Sequence, residues 1–161
     1  MSGVIRQHVT AEIEGGFVVF LLGMRINQPW RVDQWLPMVG AMPRMLRELA
    51  ARPELGCLAT SGGFPTVIQY WRSFEHLEAY AKSREHAHLP AWAEFNRRLR
   101  RGGGAVGIWH ETFLVAPGAH ESIYYAMPPI GLGRAGRLVP VARGGSSARE
   151  RLGAGARAVV Q

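Results

Sequence analysis

Four short runs rich in β-branched and aromatic residues, Phe17 to Met24, Leu55 to Thr60, Thr66 to Trp71 and Ala105 to Val115, alternate with two longer stretches whose apolar residues recur every three or four positions. Runs of that length and composition read as strands, and the longer recurrence marks one face of a helix. In chain order the elements are β-α-β-β-α-β. That order closes into one antiparallel sheet of four strands with both helices on the same face, the split βαβ or ferredoxin-like arrangement. The predicted fold class is α+β.

The first helix is expected over Val32 to Leu49, where Trp35, Val39, Met42, Leu46 and Leu49 form the apolar stripe, with a bend near Pro43. Ser61-Gly-Gly-Phe-Pro65 is a turn-rich spacer that joins the second and third strands as a hairpin. Ser73 is placed to cap a second helix through Phe74, Leu77 and Tyr80, interrupted near Pro90 and continued by Ala91, Phe95 and Leu99. Gly102 to Gly104 stop it before the fourth strand, and Ser122 to Met127 is expected to add a short edge strand.

With both helices on one side, apolar residues on the other face of the first, third and fourth strands would stay wet unless a second copy covered them. A face-to-face homodimer, a dimeric α+β barrel, is the expected arrangement.

A chain of 161 residues supports one domain with a real core, expected over residues 1–141. Residues 142–161, Arg- and Gly-rich with almost no large apolar residues, are expected to form an unordered tail. The formal charge of +7 is unevenly spread: residues 1–130 hold 13 Lys/Arg against 11 Asp/Glu, and residues 131–161 hold 6 against 1. The core is thus nearly neutral. No aromatic residue follows Tyr125 to stack on bases, so nucleic acid is not an expected partner. The longest apolar run, Phe17 to Leu22, is six residues, which gives the expectation of a cytoplasmic protein without a membrane span. Cys57 is the single cysteine, excludes an internal disulfide, and reads as a buried structural thiol.

Phosphate loops, dinucleotide fingerprints, serine elbows and zinc-protease helices are all missing from the sequence. The residues left to carry chemistry are histidines: Glu85-His-Ala-His88 in the break of the second helix, and His110-Glu111 in the middle of the fourth strand. Imidazole is the common metal ligand and the side chain whose proton moves near neutral pH. Strand alternation puts His110 on one face with Val106, Ile108, Thr112 and Leu114, and Glu111 on the other with Trp109 and Phe113, with neither polar group expected to be freely solvated. A helix histidine and His110 would then straddle the gap between sheet and helices, where a flat cofactor or apolar substrate could fit. The competing reading makes His88 a cap for the stretch starting at Pro90 and His110 a hydrogen-bonded core residue. Arg25, Arg72 and Glu111 are expected to form structural ion pairs rather than a substrate clamp. Trp71, Trp92, Trp109, Tyr70 and Phe95 would line the cavity wall, or simply pack the core.

Phe20-Leu-Leu-Gly-Met-Arg-Ile-Asn27, Gln69-Tyr-Trp-Arg-Ser73, His88-Leu-Pro-Ala-Trp-Ala-Glu-Phe-Asn96 and Val106-Gly-Ile-Trp-His-Glu111 resemble, in that order, an uncharacterised monooxygenase-like family over about Arg6 to Pro140. That family resembles the dimeric α+β barrel superfamily, which holds both cofactor-free monooxygenases and haem enzymes. The His88-Leu stretch, His110 and Glu121 to Gly131 also resemble the C-terminal part of haem aldoxime dehydratases, although this chain is less than half their length. That second resemblance implies His88 as a haem iron ligand, with His86 as competitor and Trp92 beside it. It implies His110 as the distal acid–base group, with Arg72 or Ser73 orienting substrate; Glu111 completes the candidate catalytic set. The expected function is a small monooxygenase-like oxidoreductase acting on an apolar or aromatic molecule, with haem as its candidate cofactor. A haem-dependent aldoxime dehydratase and a non-catalytic binder of haem or hydrophobic ligand are the alternatives.

Overall fold

A computed structural model of the chain describes residues 3–86, 88–145 and 147–157; the side chains of residues 88–92, 99, 144 and 153–157 lie outside that description. The four-stranded sheet forms as the element order requires. Its strands are β2 (Phe17–Ile26), β3 (Cys57–Gly63), β4 (Thr66–Trp71) and β5 (Val106–Val115), in the spatial order β3-β4-β2-β5, all neighbours antiparallel. β1 (Val9–Glu12) lies outside it. Helices α1 (Val32–Ala51), α2 (Phe74–Lys82) and α3 (His88–Gly102) supply the crossovers. This is the ferredoxin-like topology.

Alternation along the central strand assigns its two faces. Val18 is buried with Trp71, Leu49, Leu77 and Tyr80, so the even-numbered residues of β2 face the helices. In register with them are Leu114 and Trp71 beside Val18, Thr112 and Gln69 beside Phe20, and His110 and Val67 beside Leu22. The odd-numbered residues, with Trp109, Glu111 and Phe113 of β5, face the other way. Gly23 belongs to that second face because the Trp109 indole lies over it: a Cβ at position 23 would collide with the ring.

α1 carries two prolines in its interior, Pro37 and Pro43, yet runs unbroken from Val32 to Ala51. Proline has no N–H, so Pro37 leaves the Asp33 carbonyl without its helical donor. Arg98 of α3 replaces it, its Nη1 donating to that oxygen at 2.8 Å and tying the two helices together. Ser73 caps α2 as expected, accepting from the His76 N–H at 3.4 Å. The interruption falls between Lys82, where α2 ends, and His88, where α3 begins, instead of near Pro90. Pro90 is the third residue of α3, within the first turn, where a missing N–H costs no helical bond.

Further departures concern the chain ends. β1 pairs antiparallel with β6 (Arg137–Pro140) in a separate two-stranded sheet, supported by Arg137 donating to Glu12 at 2.7 Å. Ser122 to Met127 does not join the main sheet as an edge strand. It makes only isolated bridges to the N-terminal segment, Ile5 with Met127 and Val9 with Tyr124, because those backbone groups find partners there first. The following segment, with the short α4 (Leu132–Ala135), packs on the second sheet face at its β3–β4 side, where Ser61 Oγ accepts from the Gly131 N–H at 2.9 Å. His120 meets Phe17 edge-on there, with ring centroids 5.3 Å apart. Part of the face expected to need a second copy is thus covered by the chain itself. Beyond Pro140, α5 (Val141–Gly144) and α6 (Ala148–Arg157) follow, and Arg151 Nε donates to Glu121 Oε1 at 2.8 Å.

Candidate functional site

The helix-side face of the sheet is closed at both ends and open along one side. At one end Trp71 is fully buried under Leu49, Leu77 and Tyr80. At the other, Phe95 and Met38 meet Val106 and Ala105 around a cavity of about 10 Å³, room for one water molecule. Between the two ends, no helix among the described residues covers the outer strand β5. His110, Thr112 and Leu114 are exposed there, Leu114 at 74%. The His110 ring stands 5.5 Å from that of Phe20, with Leu22 its register partner. An accessible imidazole therefore projects from an apolar floor of Phe20, Leu22, Ile108 and Leu114.

The expectation that His110 and Glu111 are shielded from solvent is corrected: β5 is an edge strand, and both side chains are exposed. The alternation itself holds, with His110 facing the helix side and Glu111 the other. The ion-pair expectation is corrected as well. Arg25, Arg72 and Glu111 are all exposed, and none forms an ion pair among the described residues.

Arg72 and Ser73 follow β4 at the end level with Leu114, two strands away from His110. From ordinary strand dimensions they lie about 20 Å from that imidazole. Ser73 Oγ is engaged as the α2 cap and sits 2.9 Å from His76 Nδ1. The structure brings neither of them to His110.

His86 takes part in a cluster that sequence reasoning missed. Its Nδ1 lies 3.2 Å from Glu48 Oε1 on α1, and its ring stacks on Tyr80 with centroids 5.5 Å apart. The Tyr80 hydroxyl donates to Glu48 Oε2 at 3.0 Å. Burial, and then the Glu48 carboxylate, push the Tyr80 phenol well above its usual range. The signal available beforehand was slight: an acid at Glu48, next to buried Leu49, whose charge must be met by another element.

A haem ligand needs a ring nitrogen free to reach iron and space for the macrocycle. His86 has one ring face against Tyr80 and its Nδ1 on the Glu48 carboxylate, so Nε2 is the ring nitrogen left to meet a metal. The side chains of His88 and Trp92 lie outside the described residues, so the expected ligand and its neighbour have no geometry to report. Among the described residues no three metal-binding side chains come together.

Cys57 is partly buried beside the core, its Sγ 3.7 Å from the Ala59 carbonyl, and burial pushes its thiol up to about 11. A thiol of that kind is about 0.1% ionised at pH 8 and a poor nucleophile. Alkylation by iodoacetamide at pH 8 is expected to run about 100-fold slower in the folded protein than in urea, where the thiol returns to its ordinary range. Equal rates would show that the site is open. The same shift carries a sign for stability. The folded chain holds this proton more tightly than the unfolded one, so Cys57 and Tyr80 favour the folded state less as pH rises above about 9.

The topology defines a class, a ferredoxin-like α+β domain, here with an accessible imidazole over an apolar floor. Comparison with known proteins takes this one step further. The chain belongs to the Monooxygenase af470-like family, whose sequence pattern matches residues 17–132. It is 31% identical over 167 aligned positions to "Monooxygenase af470" of Aspergillus fumigatus, an alignment covering 83% of this chain and 56% of that protein. The chain thus spans little more than half the length of this relative. Among solved structures it is similar to a dimeric protein of unknown function and ferredoxin-like fold from Bacteroides fragilis, at 14% identity, covering 62% of this chain and 96% of that one, with a TM-score of 0.33. No helix among the described residues is long and apolar enough to cross a membrane.

Proposed function

We propose that the chain is a small monooxygenase that takes an apolar, aromatic substrate on the open helix-side face of β5 and works as a homodimer. The observation that carries this reading is the position of His110, an exposed imidazole beside Phe20, Leu22 and Leu114 in a member of a monooxygenase-like family. The apolar floor supplies binding energy without orienting charge, and the imidazole supplies the one proton-transfer group the surface needs.

In this reading His110 removes the proton of a phenolic O–H. The resulting anion is electron-rich enough to react with dioxygen itself: one oxygen atom is retained in a new carbonyl, and the other leaves as water. The phenolic hydrogen and the displaced ring hydrogen become the two hydrogens of that water, so a phenol and dioxygen balance to a quinone and water.

The test is dioxygen uptake by the purified protein over a panel of phenols, with product mass read after labelling with ¹⁸O₂. One labelled atom per product and one dioxygen per turnover are expected. Conversion of an aldoxime to a nitrile without dioxygen, together with a Soret band on haemin addition that His88→Ala abolishes, would replace this reading with the dehydratase one.

A further inference from the structure

The second sheet face has an open part that the described residues do not cover. Leu21, Gly23 and Arg25 of β2 lie there beside Glu111, Trp109 and Gly107 of β5. Trp109 is 43% exposed and Phe113 48%, side chains that rarely stay wet together on one sheet face. Two opposite charges stand within this apolar ground, Arg25 and Glu111, both exposed and neither with an ion-pair partner among the described residues.

Their spacing has a geometric consequence. Glu111 is level with Leu21, four residues along from Arg25, and one strand over. The two charges are therefore about 14 Å apart, too far to pair within one chain. A twofold axis lying in the plane of the face, perpendicular to the line between them and through its midpoint, lays each charge over the opposite charge of a second copy. That midpoint falls at the level of Gly23 and Trp109. The exposed indole, lying over a residue with no side chain, then sits at the centre of the contact, where aromatic anchors carry most of an interface's energy.

We infer that two copies of this chain pack sheet to sheet through reciprocal ion pairs, Glu111 of one protomer with Arg25 of the partner subunit and the reverse, around Trp109 at the twofold axis. The inference rests on the homodimer reading above and deepens it by naming what fixes the register. An isologous contact needs a self-complementary patch, and this pair of charges supplies one on an otherwise apolar surface. It also gives Glu111 a task on the face away from His110.

The test is sedimentation equilibrium of the full chain and four variants. The wild type is expected to be a dimer. Arg25→Glu and Glu111→Arg each place like charges opposite one another twice, and each is expected to weaken self-association by at least about 100-fold. Both side chains are exposed, so circular dichroism should report unchanged folding. Mixed in equal amounts, the two reversed variants restore both pairs, and a heterodimer is expected to form. A chain carrying both reversals should again be a homodimer. Trp109→Ala should dissociate the dimer without charge reversal. A dimeric wild type whose single reversals stay dimeric, or whose reversed pair fails to associate, overturns the ion pairs while leaving the homodimer standing. A wild type that is monomeric at tens of micromolar overturns both, whatever its dioxygen uptake.

Discussion

Replacing His110 by alanine is expected to lower kcat/KM for an accepted phenol by about 10²–10⁴, the range for losing a positioned acid–base group. The side chain is exposed and makes no hydrogen bond within the described residues, so folding stability should change by no more than about 0.5 kcal/mol. That separation makes the variant informative, since the loss cannot be charged to unfolding. His110→Gln, which keeps bulk and polarity but cannot take the proton, should be almost as impaired. Dioxygen uptake at matched substrate concentrations, alongside thermal unfolding of each variant, checks the pair. A glutamine variant with full activity would mean that the ring serves only as surface.

The second large effect is structural. Trp71 is 0% exposed and packs against Tyr80 with ring centroids 5.7 Å apart, among Val18, Leu49 and Leu77. Its Nε1 donates to Gln69 Oε1 at 3.0 Å, and Gln69 is itself buried. Trp71→Ala removes the largest side chain of the core, at about 3–5 kcal/mol. It also strands a buried carbonyl, adding about 1–3 kcal/mol. Domains of this kind hold about 5–15 kcal/mol in total, so the variant should unfold at or near room temperature. Trp71→Phe, which refills most of the space but not the hydrogen bond, should retain a cooperative transition at a lower urea midpoint. Urea titrations followed by circular dichroism would decide it, and an alanine variant as stable as the wild type would contradict this view of the core.

The parts legible in the sequence are those set by local periodicity. Thr66 to Trp71 is recovered residue for residue as β4, Phe17 to Met24 needs only two more residues, and the helix from Val32 follows its apolar stripe to the last turn. The hairpin turn is shorter than its composition predicts. Ser61 to Gly63 continue the strand, and only Phe64 and Pro65 form the tip, because glycine in an edge strand does not by itself end the ladder. β1 and β6 carried no readable signal: each is four residues long, and their pairing joins the two ends of the chain.

For the site, the face of each β5 side chain followed from alternation, but its exposure did not. Exposure depends on where α3 and α1 stop covering the sheet, which packing decides and periodicity does not encode. The same limit applies to Glu48 with His86 and to Arg98 with Asp33, contacts between segments far apart in sequence. Pro37 at least announced that some donor would be needed at Asp33.

The central claim is that substrate lies against His110 on the open side of β5. It is tested most directly by the imidazole proton resonances of the six histidines, with the His110 signal assigned from His110→Gln. Titration with a phenol that supports dioxygen uptake should shift the His110 resonance, saturating at the concentration that half-saturates turnover, and leave that of His76 in place. A His110 signal that stays still while turnover saturates would contradict it.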